Sequence, residues 1–126
     1  MNRPLTFRMW DVNTKRFYYL YLDELIGLTR TITIPKEATI QQYTELKDKN
    51  GVDIYEGDIV KFDDSLISSK PMIGFAEVIW INDLTIVDAP SFGLWFIGKK
   101  SGYYCSMLGE MELVGNIFEH KHLLLK

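Results

Sequence analysis

Apolar residues along this chain recur mostly at every second position, the period of half-buried strands. Residues 6–10, Thr-Phe-Arg-Met-Trp, alternate polar and apolar. They lead into Asp11-Val12-Asn13-Thr14-Lys15, a hairpin turn in which Asp and Asn side chains can bond local amides. The return strand spans 16–22. Residues 29–34 alternate cleanly, with Ile32 and Ile34 on one face and Pro35 as the stop, and 38–43 form a further extended segment. Thr44 is a candidate N-cap with Glu45 in the first turn, which predicts a short helical turn there. Asn50-Gly51 predicts a type I′ hairpin with positive φ at both positions, joining Lys47-Asp48-Lys49 to a strand over 52–55.

The second half reads the same way. Residues 59–62 (Ile-Val-Lys-Phe) predict a core strand entered through Glu56-Gly57-Asp58, and 74–81 predict another. On the latter, Ala76, Val78 and Trp80 share one face, with Phe75, Glu77, Ile79 and Ile81 on the other. Asn82-Asp83 turns the chain into a strand over 84–87; strands over 93–97 and 112–118 complete the set. Residues 63–72 and 88–91, rich in Ser, Asp and Pro, are loops, and the tail over 119–125 suits one or two helical turns. No helical period is sustained beyond about ten residues and no repeat is visible. The expected fold is therefore mainly β, one domain over 1–126, built as a small bent-sheet or SH3-like pseudo-barrel with short helical turns.

Composition narrows the function classes. The chain has 126 residues, 47% hydrophobic and 13% aromatic, too apolar for disorder. A single cysteine, Cys105, excludes a disulfide scaffold and fits a reducing, cytoplasmic setting. No apolar run approaches the roughly 20 residues of a membrane-spanning helix, and the start lacks a signal-peptide pattern. The net charge of −3 conceals an asymmetry: residues 1–36 carry +3, residues 37–64 carry −5, and the rest −1. Such a distribution can steer association, including with a second copy of the chain. No dense basic stripe exists, which disfavours nucleic acid as a partner.

Three ordered motifs carry a resemblance. Gln42-Tyr43-Thr44-Glu45-Leu46-Lys47-Asp48-Lys49-Asn50-Gly51 with Ile54-Tyr55-Glu56-Gly57-Asp58-Ile59-Val60 resembles the signature of the YopX-like prophage proteins. Phe7-Arg8-Met9-Trp10-Asp11 is similar to that family's opening, and Gly115-Asn116-Ile117-Phe118-Glu119 to its close. The resemblance spans nearly the whole chain and implies a small, mostly-β, barrel-like domain of phage or prophage origin in a bacterial host. It implies a genomic context and no particular reaction, so no catalytic residues are carried over. Within it, an N-terminal hairpin region over about 1–36 precedes a signature and barrel region over about 37–126. The chain departs from the pattern at Glu45, where the family often has Gly, and at His120-Lys121, where it often has Asn-Pro.

The signature also has a local physical meaning. Gly57-Asp58 and Gly115-Asn116 each precede two apolar residues. Gly permits a bulge or a positive-φ kink, and the following Asp or Asn can accept from nearby amides, a recipe for starting a bent strand. Asn50, Gly51, Gly57, Asp58, Gly115 and Asn116 are accordingly read as structural.

Candidate chemistry is sparse. Glu56 and Asp58 could form a carboxylate pair, but no neighbouring His, nucleophile or phosphate loop accompanies them. His120 and His122 could share a metal only with further ligands, and an exposed tail is the simpler expectation. Asp63-Asp64 with Asp58 lack a calcium-loop pattern, and Cys105 lacks an activating base. No cofactor is expected. The notable feature is Phe17-Tyr18-Tyr19-Leu20-Tyr21-Leu22, apolar on both faces of one strand, as an inter-layer strand or an interface would be. Phe17, Tyr18, Tyr19 and Tyr21 form the candidate interaction surface. Three functions follow: a non-catalytic module binding itself or a host or phage protein, which is favoured; a nucleic-acid-binding small barrel using Arg8, Lys15, Arg16 and the aromatics; and a small metal-dependent hydrolase.

Overall fold

The computed structural model describes residues 6–21, 38–82, 84–85, 89–96, 102–104 and 109–125. It is mainly β, as the alternation predicts. The chain forms two compact units, residues 1–43 and 44–126.

In the first unit, β1 (Thr6–Asp11) and β2 (Arg16–Tyr21) form an antiparallel hairpin, and β1 pairs on its other side with the start of β3 (Thr39–Lys47). The connecting turn forms as the sequence indicates: Asp11 Oδ1 accepts from the amides of Asn13 (2.8 Å) and Thr14 (3.4 Å). Lys15 closes it with φ 55°. On one face Arg8 and Gln41 are buried and directly opposed, with Arg8 Nε donating to Gln41 Oε1 at 2.8 Å. The guanidinium lies 4.1 Å from the Phe17 ring centre, and Trp10 meets Phe17 edge-on at 4.8 Å. A buried cation is tolerated here because a carbonyl acceptor and an aromatic face replace water. The expected strand over 29–34 lies outside the described residues.

The second unit holds the end of β3, then β4 (Asp53–Tyr55), β5 (Asp58–Asp63), β6 (Ile73–Ile81), β7 (Ser91–Phe96), β8 (Gly102–Tyr104) and β9 (Glu110–Asn116). Five of these form an antiparallel sheet in the order β8-β7-β6-β5-β9. Its core is Ile54, Val60, Phe62, Ala76, Val78, Leu94, Phe96 and Met111. These residues come from five strands, and alternation on β5 and β6 supplies four of them. Between the pairs Ile59–Gly115 and Val60–Leu113 the register slips by one, leaving Val114 as the extra residue of a bulge. A 310 turn over Lys121–Leu125 packs on β5 and β6, on the side where Ile59 is fully buried.

Several expectations are corrected. Thr44 caps no helix: β3 continues through it, and its hydroxyl donates to the Ile54 carbonyl (2.7 Å) while accepting from the Leu46 amide (3.1 Å). Asn50-Gly51 is not a type I′ turn, because only Gly51 has positive φ (82°). The Gly51 amide bonds to the Asp48 carbonyl and the Asp48 amide to the Val52 carbonyl, the pattern of a three-residue loop closed by a left-handed residue. Leu84 and Thr85 lie in a turn rather than a strand, and β8 adds a strand that the pattern did not reveal; Trp80 does share a face with Ala76 and Val78, but at its exposed end, against Phe92. Gly57-Asp58 does begin a strand, with Gly57 at φ 85°, but Gly115-Asn116 ends one.

Glu45 sits at φ 67°, inside β3 and at the position where the resemblance pattern often has Gly. An L-residue there costs about 1–2 kcal/mol that glycine avoids. Comparing variants that both lack the carboxylate isolates that cost. Glu45→Gly is expected to be more stable than Glu45→Ala by about 1 kcal/mol in urea titrations, despite glycine's larger unfolded-state entropy.

Candidate functional site

The residues of the sequence signature are occupied in holding the second unit together. Asp48 is buried at the head of the β3–β4 loop. Its Oδ1 accepts from the amides of Asn50 (2.8 Å) and Val52 (2.9 Å), and its Oδ2 from the amide of Leu113 on β9 (3.0 Å). The Lys49 amide adds a bond to the Met111 carbonyl at 2.9 Å, so the loop is tied to the outer edge of β9. Burial pushes the Asp48 carboxyl up, but the amides of Leu113, Val52 and Asn50, aided by Lys49, outweigh it and hold the pKa below the usual carboxylate value. Lys49 in turn bridges Glu112 (3.0 Å) and Glu110 (3.4 Å).

A second tie surrounds Gly57-Asp58. Asp58 is buried and its Oδ2 accepts from the Tyr55 amide at 2.7 Å, across the turn in which Gly57 is left-handed. The Gly57 amide bonds to the Val78 carbonyl and its carbonyl accepts from the Ile117 amide, joining the turn to β6 and to the segment after β9. There, Asn116 Oδ1 accepts from the amides of Phe118 and Glu119, both at 3.0 Å, and His120 Nδ1 accepts from the Asn116 amide at 3.2 Å. His120 is therefore half-buried in a turn, contrary to an exposed tail, and of the two histidines His122 is the exposed one. A Cβ on Gly115 would meet His120 atoms at 2.5–2.6 Å, so this glycine is required by a close approach and not by its φ.

Of the carboxylates considered for catalysis, Asp58 and Asp64 each accept from a backbone amide. Asp64 is buried, its Oδ1 accepting from the Met72 amide at 2.7 Å. Glu56 is half-buried beside the Gly57 turn, where it adds to the field at Glu77 on β6. Burial first, and Glu56 second to the opposing pull of Lys121, leave the Glu77 carboxyl above its usual pKa. No alternation signal separates Glu77 from an ordinary outward position, so its environment was not legible in sequence. Among the described residues no group of three or more His, Cys, Asp or Glu is placed to hold a metal ion. Cys105 lies outside the described residues.

Two surfaces stand out among the described residues. On the hairpin, Phe17 is half-buried, Tyr18 is 43% exposed and Tyr19, on the opposite face, is 49% exposed. The side chain of Tyr21 lies outside the described residues. Pairing aligns Tyr18 with Met9 and Met9 with Ile40, which is 44% exposed, so the three form one cross-strand row on the face away from Arg8 and Gln41. Met9 and Ile40 were missed because only strand register places them beside Tyr18. Of the basic residues nominated for nucleic acid, Arg8 is buried, and Lys15 and Arg16 are exposed at the hairpin turn. The other surface is a groove of about 470 Å³ in the second unit, between the end of β3, the loop after β5 and the start of β9.

These features define a mainly β chain whose second unit is stitched together by the sequence motifs. The chain matches the YopX protein family over residues 20–125 and belongs to it. It is also similar in fold to the crystal structure of protein EF1440 from Enterococcus faecalis, at 23% identity and a TM-score of 0.52, covering 95% of this chain and 97% of that one. No functionally curated protein matches the chain.

Two outcomes test the stitching. The low Asp48 pKa means that its ionised form favours the fold: the contribution is complete above the unfolded carboxylate value near ~4 and is lost as pH falls from there toward the folded value. Asp48→Asn should therefore lower stability at pH 7 while flattening its decline below about pH 4, and Asp48→Ala should cost on the order of 3 kcal/mol at pH 7. Gly115→Ala should cost about 2 kcal/mol, with a favourable coupling to His120→Ala in a double-mutant cycle read by urea unfolding.

Proposed function

We propose that this chain is a non-catalytic accessory protein of phage or prophage origin, acting in the bacterial cytoplasm as a protein-interaction module that self-associates through its N-terminal hairpin. The observation that supports this is the apolar row Tyr18–Met9–Ile40 across three paired strands, with Tyr18 and Ile40 exposed on either side of half-buried Met9. A sheet face of this kind loses solvent-exposed apolar area when a second sheet covers it, and tyrosine gains by burying its ring while keeping its hydroxyl wet. Among the described residues β2 also ends its sheet, and an edge strand offers unpaired backbone groups for pairing with another chain. The hairpin is well suited to present this row, because the Arg8–Gln41 bond and the Trp10–Phe17 contact fix its opposite face.

Light scattering on the purified chain tests the proposal. An oligomer is expected at micromolar concentration, reverting to a monomer in Tyr18→Ser/Ile40→Thr with an unfolding midpoint within a few degrees of the parent. A monomeric parent that also recovers only itself in pull-downs from lysogenic cells would overturn it.

A further inference from the structure

We propose that the groove of the second unit is a binding site for a short peptide segment of another protein in which apolar side chains are flanked by Lys or Arg. The site is separate from the hairpin row, and the proposal does not depend on self-association.

The argument begins with a loop that holds apolar residues out in water. After β5, Asp63 Oδ1 accepts from the Ser65 amide at 2.8 Å, and the Asp64 carbonyl accepts from the amides of Ile67 and Ser68, both at 3.0 Å. The buried Asp64 carboxylate clamps the loop's far end through the Met72 amide. Between these anchors Leu66 is 90% exposed and Ile67 68% exposed. Nothing in the loop's own fold gains from that exposure, yet its backbone is fixed by four hydrogen bonds. A pre-organised apolar pair costs little entropy to bury against a ligand.

Leu66 and Ile67 form one wall of the groove, and Leu46 and Met111 contribute further apolar lining. Gly109 lines it too, and a Cβ there would lie 2.8 Å from the Phe62 ring, so no larger residue fits at that point without shifting the core. A volume of about 470 Å³ falls within the usual range for ligand sites. It admits a few side chains of an extended or turned segment.

Charge selects the flanking residues of the ligand. The lining includes Asp63, Asp64 and Glu110 against Lys47. With their charged partners Asp53, Lys49, Glu112 and Lys61, the surroundings hold three lysines against five carboxylates. The excess is negative, and a low-dielectric apolar wall beside it strengthens attraction for a cation. An acidic or neutral apolar segment would gain the same apolar contact without that attraction.

The test uses two labelled nonapeptides of alternating sequence, one of Leu and Lys and one of Leu and Glu, titrated against the full chain. The Lys peptide should bind about tenfold tighter or more at low salt, with the preference shrinking near molar salt. Leu66→Ser/Ile67→Ser, at exposed positions where folding is not at risk, should weaken the Lys peptide at least about fivefold. Glu110→Lys should reduce the charge preference while retaining apolar binding. Amide chemical-shift changes should cluster at Leu46, Leu66, Ile67 and Met111. Equal binding of both peptides, unchanged binding by the Leu66/Ile67 variant, or shifts scattered away from the groove would each overturn the proposal. So would tighter groove binding by a synthetic copy of residues 11–22, which would make a second copy of the chain the occupant.

Discussion

The second unit depends on a carboxylate that has left water without losing its partners. Asp48 is buried and accepts from three backbone amides, two in its own loop and one on β9, 65 residues along the chain. An isolated buried carboxylate would be strongly unfavourable, but bonds to ionised acceptors are roughly twice as strong as neutral ones. The balance falls on the side of the ion, which is why burial raises the carboxyl's pKa and the amides lower it further than that. The tie gives two results together. It selects a three-residue loop at Asn50-Gly51, and it covers the outer edge of β9 that would otherwise be open to another strand.

The Gly57-Asp58 turn performs the corresponding task elsewhere in the unit. Gly57 bonds to Val78 on one side and to Ile117 on the other, so a turn of two central residues joins three parts of the fold. Asn116 and His120 then lock the chain as it leaves β9, and the close packing of His120 on Gly115 leaves no room for a side chain there. The motifs that make the family recognisable are, in physical terms, polar cross-links over an apolar core. A small core buries limited area, and directed polar ties specify which strands meet where nonspecific apolar contact would not.

What the sequence revealed follows from the range of each interaction. Strand positions, the Asp11 turn and the Gly57 kink were legible because alternation and turn chemistry act within a few residues. The loop at Asn50 was misread as type I′ because the competing acceptor, Asp48, does its work through Leu113 on a distant strand. Thr44 has the composition of a helix cap, yet pairing with β4 engages its hydroxyl with the Ile54 carbonyl, and tertiary context overrode the local preference. His120 looked like a tail residue for the same reason. The hairpin aromatics were found in sequence, but the row they complete with Met9 and Ile40 exists only in the register of β1 with β2 and β3.

This division of labour bears on where binding can reside. A residue whose side chain satisfies buried amides cannot also turn to a ligand without leaving those amides unpaired, at a cost of about 1–3 kcal/mol each. Asp48, Asp58, Asp64 and Asn116 are committed in this way. Positions free of that duty are the ones whose apolar side chains stand in solvent: Tyr18 on the hairpin, Ile40 on the start of β3, and Leu66 and Ile67 on the clamped loop. Exposure of single apolar residues is ordinary, but exposure on segments that the protein has fixed with buried carboxylates or a buried arginine is not explained by folding alone. The signature therefore points to the scaffold, and variation in binding among relatives of this fold is expected at the hairpin row and the loop after β5, where substitutions leave the polar cross-links intact.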